Sequence, residues 1–172
     1  MNEKKKEGKG GKDMALEIER KFLVDEKLFR QPEKGIRVKQ GYLQGDGTML
    51  VRVRRQDDKA FLTLKGKTTG ITRAEFEYPI PVDDAEKLFE FCRRPLIDKT
   101  RYLIPAEDGV HTWEVDKFFG ENEGLMIAEV ELKSEDEAFS RPEWLGREVS
   151  GDPHYYNSNL AEHPFSEWKD EI

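Results

Sequence analysis

Charged side chains recur at every second position in segment after segment of this chain, and that period constrains the fold more than any other feature. In Leu16–Val24, Glu17, Glu19 and Lys21 alternate with Leu16, Ile18 and Arg20, and Phe22 continues the mostly apolar side. Met49–Arg55 sets Arg52 and Arg54 against Val51 and Val53, and Phe61–Lys65 sets Thr63 and Lys65 against Leu62 and Leu64. Arg73–Ile80 opposes Arg73, Glu75 and Glu77 to Phe76 and Tyr78. Lys99 and Arg101 share a phase running into Thr100–Ile104. Thr112–Phe118 opposes Glu114 and Asp116 to Trp113 and Val115, and Met126–Lys133 opposes Glu129, Glu131 and Lys133 to Val130 and Leu132. Side chains at i and i+2 share a sheet face, so about seven strands are expected, each with one charged and one mostly apolar face.

Between these strands, Asp83 or Asp84 is expected to cap a helix running through Arg93, with Ala85, Leu88, Phe89 and Cys92 at helical spacing and Pro95 ending it. Ser134 stands ahead of Glu137 in capping-box spacing and opens an expected helix through Phe139. Pro142–Leu145 reads as a short turn, and Ser158–Trp168 as a helix interrupted at Pro164. Turns are expected at Gly45-Asp46-Gly47, Asp57-Asp58, Gly66–Gly70 and Asp108-Gly109. No linker divides the chain, so residues 14–172 are expected to form one domain. The Lys- and Gly-rich residues 1–13 read as a disordered leader or tag remnant and lack the apolar segment of a signal peptide.

An antiparallel sheet with its charged face in water would satisfy any one of these strands. The joint pattern demands more. Charged residues make up 38% of the chain against roughly 25% in ordinary globular proteins, and aromatic residues at 10% argue against disorder. A strongly twisted sheet of this many strands tends to curl or close. If it closes with the apolar face outward under helices, both signs of charge line the lumen, and a charged ligand is what justifies that arrangement.

The residue types suit a polyanion held with metal. Carboxylates at i and i+2 lie roughly 6.5–7 Å apart at their Cβ atoms and can bend toward one hard cation. Without it they repel, and one takes up a proton. Arg52 and Arg54 present two forked donors suited to phosphate oxygens, and Lys21, Lys65, Lys99 and Arg101 add positive charge. The formal net charge of −7 speaks against nucleic acid as a partner. No apolar run approaches the ~20 residues of a membrane helix, so no membrane association is expected. The single Cys92 cannot form an internal disulfide, which suits a cytoplasmic protein.

Glu17-Ile18-Glu19-Arg20-Lys21 reads as an ExExK signature, followed in order by Gln40-Gly41-Tyr42, Val51-Arg52-Val53-Arg54 and Leu62-Thr63-Leu64-Lys65. Glu75-Phe76-Glu77-Tyr78, Lys99-Thr100-Arg101-Tyr102, Trp113-Glu114-Val115-Asp116 and Ala128-Glu129-Val130-Glu131 complete the series. In this order the chain resembles the CYTH superfamily, the triphosphate tunnel metalloenzymes, from about Met14 to Trp168, and is most similar to the short bacterial members. The resemblance implies an α+β fold: an eight-stranded antiparallel β-barrel with helices on its outside and both ends open, holding a triphosphate in its bore.

Carried over by resemblance, Glu17, Glu19, Glu129 and Glu131 bind divalent metal, Mg2+ or Mn2+, with Asp116 joining directly or through water. Lys21, Arg52, Arg54, Lys65, Lys99 and Arg101 hold the phosphates. Glu75 and Glu77 either orient those basic groups or a second metal's waters, or form a salt-bridge network without ligand contact. Tyr42 is implied as a proton acceptor, with Lys99 beside the reacting phosphate. A phenol with an ordinary pKa near 10 is a poor base, so cations around Tyr42 are expected to lower it. The alternative for Tyr42 is packing at the barrel mouth.

His111, His154 and His163 lack metal-ligand spacing and are expected to be surface or satisfied residues. Cys92 lies on an apolar helix stripe and is expected to be buried. The expected activity is hydrolysis of inorganic tripolyphosphate. Thiamine or nucleoside triphosphate hydrolysis, a class IV-type adenylate cyclase and a non-catalytic polyphosphate-binding module are the alternatives. A homodimer through an outer barrel face is an accompanying expectation.

Overall fold

The computed structural model describes residues 16–43, 47–67, 69 and 71–172. The leader, Met14 at the expected start of the domain, and parts of two expected turns (Gly45, Asp46, Thr68 and Gly70) lie outside the described residues.

The alternating segments form strands at the places their period predicts: β1 (Leu16–Val24), β3 (Leu50–Gln56), β4 (Lys59–Lys65), β5 (Thr72–Ile80), β6 (Ile97–Pro105), β7 (Thr112–Phe118) and β8 (Met126–Leu132). An eighth, β2 (Ile36–Leu43), carries only Arg37 and Lys39 as charges, and these point out of the barrel, so its parity is the reverse of the others. The strands pair antiparallel in the order β5-β4-β3-β2-β6-β7-β8-β1, and β1 returns to β5 with Glu17 opposite Arg73. That last pairing closes eight strands into a barrel. A short β9 (Leu145–Glu148) continues along the same edge of β1 past β5, with Leu145 opposite Val24. Closure leaves no long unpaired edge on β1.

The apolar faces point outward. Phe22, Trp113, Val115 and Val130 are buried on the outside of β1, β7 and β8, beneath Phe29, Phe139 and Trp144 from the connecting loops. Trp113 packs edge-on against Trp144 at 5.8 Å, a geometry that suits the ring quadrupoles. On β3 and β4, Val53 and Ala60 are covered by Ala85, Phe89 and Cys92 of α1 (Val82–Leu88) and the 3₁₀ turn after it. The cover is incomplete, since Phe76 and Tyr78 on the outer face of β5 are exposed.

The helix expected through Arg93 ends earlier because tertiary pairing claims its last residues. Cys92 bridges to Leu43, and the Arg93 N–H donates to Tyr42 O at 3.0 Å. Its N-cap is Pro81, with Asp83 and Asp84 in the first turn, where carboxylates favour the helix dipole without capping it. Ser134–Phe139 makes a single turn and no helix. The Glu137 carboxylate leaves the capping position to accept from the Lys133 N–H and to meet His111. The C-terminal helix does break at Pro164, giving α2 (Asn157–Leu160) and α3 (Phe165–Trp168).

That C-terminal segment corrects the expectation of a barrel open at both ends. Leu23, Tyr42, Ile97, Phe118 and Ile127 point inward at one end of the barrel and form one apolar cluster with Val149, Tyr155, Leu160, Phe165 and Trp168. The segment from Val149 onward therefore packs into that end. Among the described residues, no helix is long and apolar enough to cross a membrane.

Candidate active site

The inward faces of the eight strands enclose a cavity of about 420 Å³, floored on one side by Ser150, Gly151, Tyr156, Asn157 and Ser158. Seven cationic side chains line it: Lys21, Arg52, Arg54, Lys65, Arg73, Lys99 and Arg101. Glu17, Glu19, Glu75, Glu114, Glu129 and Glu131 face the same space. Strand register decides how these charges meet. Lys21 stands opposite Glu129, Lys65 opposite Glu75 and Arg101 opposite Asp116, so acid faces base across neighbouring strands. Such opposed pairs support a sheet as well as a site.

The most buried part of the network centres on Asp116, which has no exposed surface. Arg101 donates to it through two nitrogens, Nε to Oδ1 and Nη2 to Oδ2, both at 2.7 Å. Lys99 Nζ donates to Oδ2 at 2.6 Å. Burial opposes the charge on Asp116, yet Arg101 and Lys99 together hold its carboxyl below the usual range. At Lys99, burial and the nearby Arg101 outweigh Asp116, and its pKa falls to about 8. Glu129 accepts from Lys21 at 2.6 Å and is likewise held well below its ordinary value: Lys21 and Arg101 overcome its burial. Glu114 pairs with the outer arm of Arg101.

A second network gathers on β3, β4 and β5. Lys65 Nζ donates to Glu75 at 2.7 Å and lies 3.5 Å from Glu17. Arg52 reaches Thr63, Glu75 and Glu77, and Arg54 donates to Glu77 at 3.0 Å. Glu77 also accepts from Thr63 at 3.1 Å and is absent from the cavity lining. Both carboxylates thus hold cations in place. Burial, with Arg52 alongside, lowers the Lys65 pKa to about 7.

Tyr42 lines the cavity with 3% of its surface exposed, and its phenol oxygen accepts from Gln40 Nε2 at 3.0 Å. Burial raises its pKa even though Arg52, Arg73, Lys21 and Arg54 pull the other way. The expected lowering by cations therefore does not occur within the protein's own charge set, because desolvation of the phenolate is the larger effect.

Four of the carboxylates expected to hold metal lie on two neighbouring strands, Glu17 and Glu19 on β1 and Glu129 and Glu131 on β8. Glu19 is directly opposite Glu131 across β1 and β8, and Glu114, outside that set, faces Glu129 from β7. Among the described residues, no three His, Cys, Asp or Glu side chains converge on one point. Still, the set fits a hard divalent cation. Its donors are all oxygens, the Glu17 Oε2 atom makes no hydrogen bond and only a long ion pair to Lys65 at 3.5 Å, and burial plus the charge of Glu129 raises Glu19 to about 7. Facing like charges are costly unless something neutralises them. Asp116 and Glu129 are already engaged by cations of the protein, Asp116 by Lys99 and Arg101 through both oxygens and Glu129 by Lys21 and, at 3.5 Å, by Arg101.

The three histidines are satisfied without metal. His111 bridges Asp108 and Glu137, His154 contacts Asp152, and His163 lies 3.8 Å from Glu167. Cys92 is buried as expected. Arg73 and Glu114 belong to the lining beyond the expected set, and their parity with Glu75 and Asp116 was the available signal. Asn157 and Ser158 carried no signal, because only the C-terminal fold brings them to the bore.

A closed antiparallel barrel with an inward lining of both charges defines a tunnel protein for a compact anion. The chain belongs to the CYTH domain family, which matches residues 15–161. It is 49% identical over 158 residues to an inorganic triphosphatase of Acetivibrio thermocellus, covering 91% of this chain and 100% of that protein. An inorganic triphosphatase of Nitrosomonas europaea is 40% identical over 152 residues, 84% of this chain and 96% of its own. A solved inorganic triphosphatase structure superposes with a TM-score of 0.62 at 38% identity, covering 84% of this chain and 96% of that one. Triphosphate tunnel metalloenzymes of this family depend in general on a divalent metal.

Proposed function

We propose that this protein hydrolyses inorganic tripolyphosphate to pyrophosphate and orthophosphate inside the barrel, with Mg2+ or Mn2+ as cofactor. The observation that carries this reading is seven lysine and arginine side chains converging on one bore beside carboxylates of the neighbouring strands β1 and β8. Such a lining matches a short, highly charged polyanion taken up with a cation. The likeness to two inorganic triphosphatases supports the substrate.

Lys21, Arg52, Arg54, Lys65, Lys99 and Arg101 bind the phosphate oxygens and stabilise charge on them as the bond to the terminal phosphorus breaks. Glu75 and Glu77 keep Arg52, Arg54 and Lys65 aimed inward. Glu17, Glu19, Glu129 and Glu131 would hold the metal, with Asp116, whose oxygens are held by Lys99 and Arg101, acting through water. A divalent ion held there would supply charge neutralisation and a more acidic water. Water attacks the terminal phosphorus, pyrophosphate leaves, and the proton of the attacking water passes to a base, for which Tyr42 is the candidate. Because burial raises the Tyr42 pKa, that role rests on Arg52, Arg73, Lys21 and Arg54, whose charges favour the phenolate. A cytoplasmic location suits the unpaired Cys92.

The test is phosphate release from tripolyphosphate, thiamine triphosphate and ATP, each with Mg2+, Mn2+ or chelator. Metal-dependent turnover that strongly prefers tripolyphosphate supports the proposal. Preference for an organic triphosphate, or cyclic AMP from ATP, replaces the substrate, and no turnover with any of them replaces catalysis by binding. Light scattering in the same buffer reads the expected homodimer.

A further inference from the structure

Lys99 is held from two directions by residues far apart in the chain. Its ammonium carries three donors on a flexible stem. One goes to Asp116 Oδ2 at 2.6 Å, and a second goes to Asn157 Oδ1 at 3.0 Å. The Phe118 ring lies against the same ammonium, its centroid 5.4 Å from Nζ. Those two bonds leave one N–H of the ammonium for a ligand in the cavity that Lys99 and Asn157 both line.

Asn157 is itself fixed. It opens α2, and its backbone oxygen accepts from the Ala161 N–H at 3.1 Å. Leu160 and Ala161 just beyond it are fully buried in the apolar cluster that packs the barrel end. The anchor for Lys99 therefore rests on a rigid part of the C-terminal segment, 58 residues away along the chain.

We infer that Asn157 is a positioning residue for hydrolysis, orienting the Lys99 ammonium so that its third donor meets the reacting phosphate. This makes the C-terminal segment part of the active site as well as its floor. The inference rests on the proposed triphosphatase reading.

Two near-isosteric substitutions separate positioning from packing. Asn157→Leu removes the acceptor, whereas Asn157→Asp keeps an oxygen at the same place. With tripolyphosphate and Mg2+, Asn157→Leu is expected to lower kcat roughly tenfold to a hundredfold with KM within about twofold, as for a group misplaced by a fraction of an ångström. Asn157→Asp is expected to recover most of kcat, and both variants to keep the Tm of the unaltered protein. Equal kcat in all three proteins overturns the inference, as does loss in both variants alongside a matching fall in Tm. A protein with no turnover at all fails the triphosphatase reading and leaves the anchor to be read directly. Lysine-selective ¹⁵N NMR then follows the exchange-protected Lys99 Nζ signal, assigned by its absence in Lys99→Arg. Its loss in Asn157→Leu and survival in Asn157→Asp support the anchor, and an unchanged signal in Asn157→Leu overturns it.

Discussion

Glu19 and Glu131 face each other directly across β1 and β8 on the inside of the barrel. Two carboxylates so placed repel unless a cation lies between or beside them, and burial with the charges of Glu129 and Glu17 raises the pKa of Glu19 into the neutral range. Mn2+ is therefore expected to stabilise the folded protein, by about 2.7 kcal/mol at a hundredfold excess over Kd. Glu131→Gln should shrink the Mn2+-induced rise in Tm and raise the metal concentration needed for half-maximal turnover. A Tm response to Mn2+ identical in both proteins would remove Glu131 from the metal set.

Asp116 neutralises two buried cations at once, so its loss should be felt in stability as well as activity. Asp116→Ala leaves Lys99 and Arg101 buried without their main partner, and removing one member of such a pair costs about 3–5 kcal/mol. Urea denaturation should show that loss as a lower midpoint, with tripolyphosphate turnover falling in the same variant. A midpoint within error of the unaltered protein would mean that the cations find other partners.

Tyr42→Phe removes the phenol while keeping the ring that packs at the barrel end. If the Tyr42 phenolate takes a proton from the attacking water, kcat should drop by about 10²-fold or more with KM little changed. Unchanged kcat would assign Tyr42 to packing alone.

The Asp108–His111–Glu137 bridge gives a pH signature away from the bore. Hydrogen bonding to Asp108, with help from Glu137, raises the His111 pKa above its ordinary 6.5. The charged imidazole is thus favoured by folding. Its contribution is fully present below about pH 6.5, the unfolded value, and fades as pH rises through the higher folded pKa. Comparing Tm from pH 5.5 to 8.5, the advantage of the unaltered protein over His111→Gln should be largest at the acid end. An advantage that grows toward alkaline pH would contradict the bridge.

Gly41 sits where β2 meets the end of the outer helix. A Cβ there would lie 2.7 Å from Cys92 Cβ and 2.7 Å from a Leu96 methyl. Gly41→Ala is therefore expected to destabilise by about 1–3 kcal/mol through overpacking, read by chemical denaturation. No loss would show that Cys92 and Leu96 yield easily.

Much of this molecule is written locally. A strand with one apolar face must show it as a period of two, so seven of the nine strands among the described residues, the outward apolar surface and the charged inner face follow from residues a few positions apart. β2 escaped that reading because its inward positions, Val38, Gln40 and Tyr42, are uncharged. β9 escaped because four residues with three exposed carry no usable period. The Ser134–Glu137 spacing pointed to a helix, and His111 drew the glutamate elsewhere, which no neighbouring residue could foretell.

The sequence by itself determined which charges enter the barrel, because the side of a strand a residue faces depends only on its own position in the pleat. Which acid meets which base was decided by register between strands, and the placing of Asn157 beside Lys99 by a C-terminal segment folding back into the barrel end. Both are contacts between residues far apart in the chain, and they exist only when burial of Leu160, Phe165 and Trp168 with Ile97 and Phe118 brings those residues together.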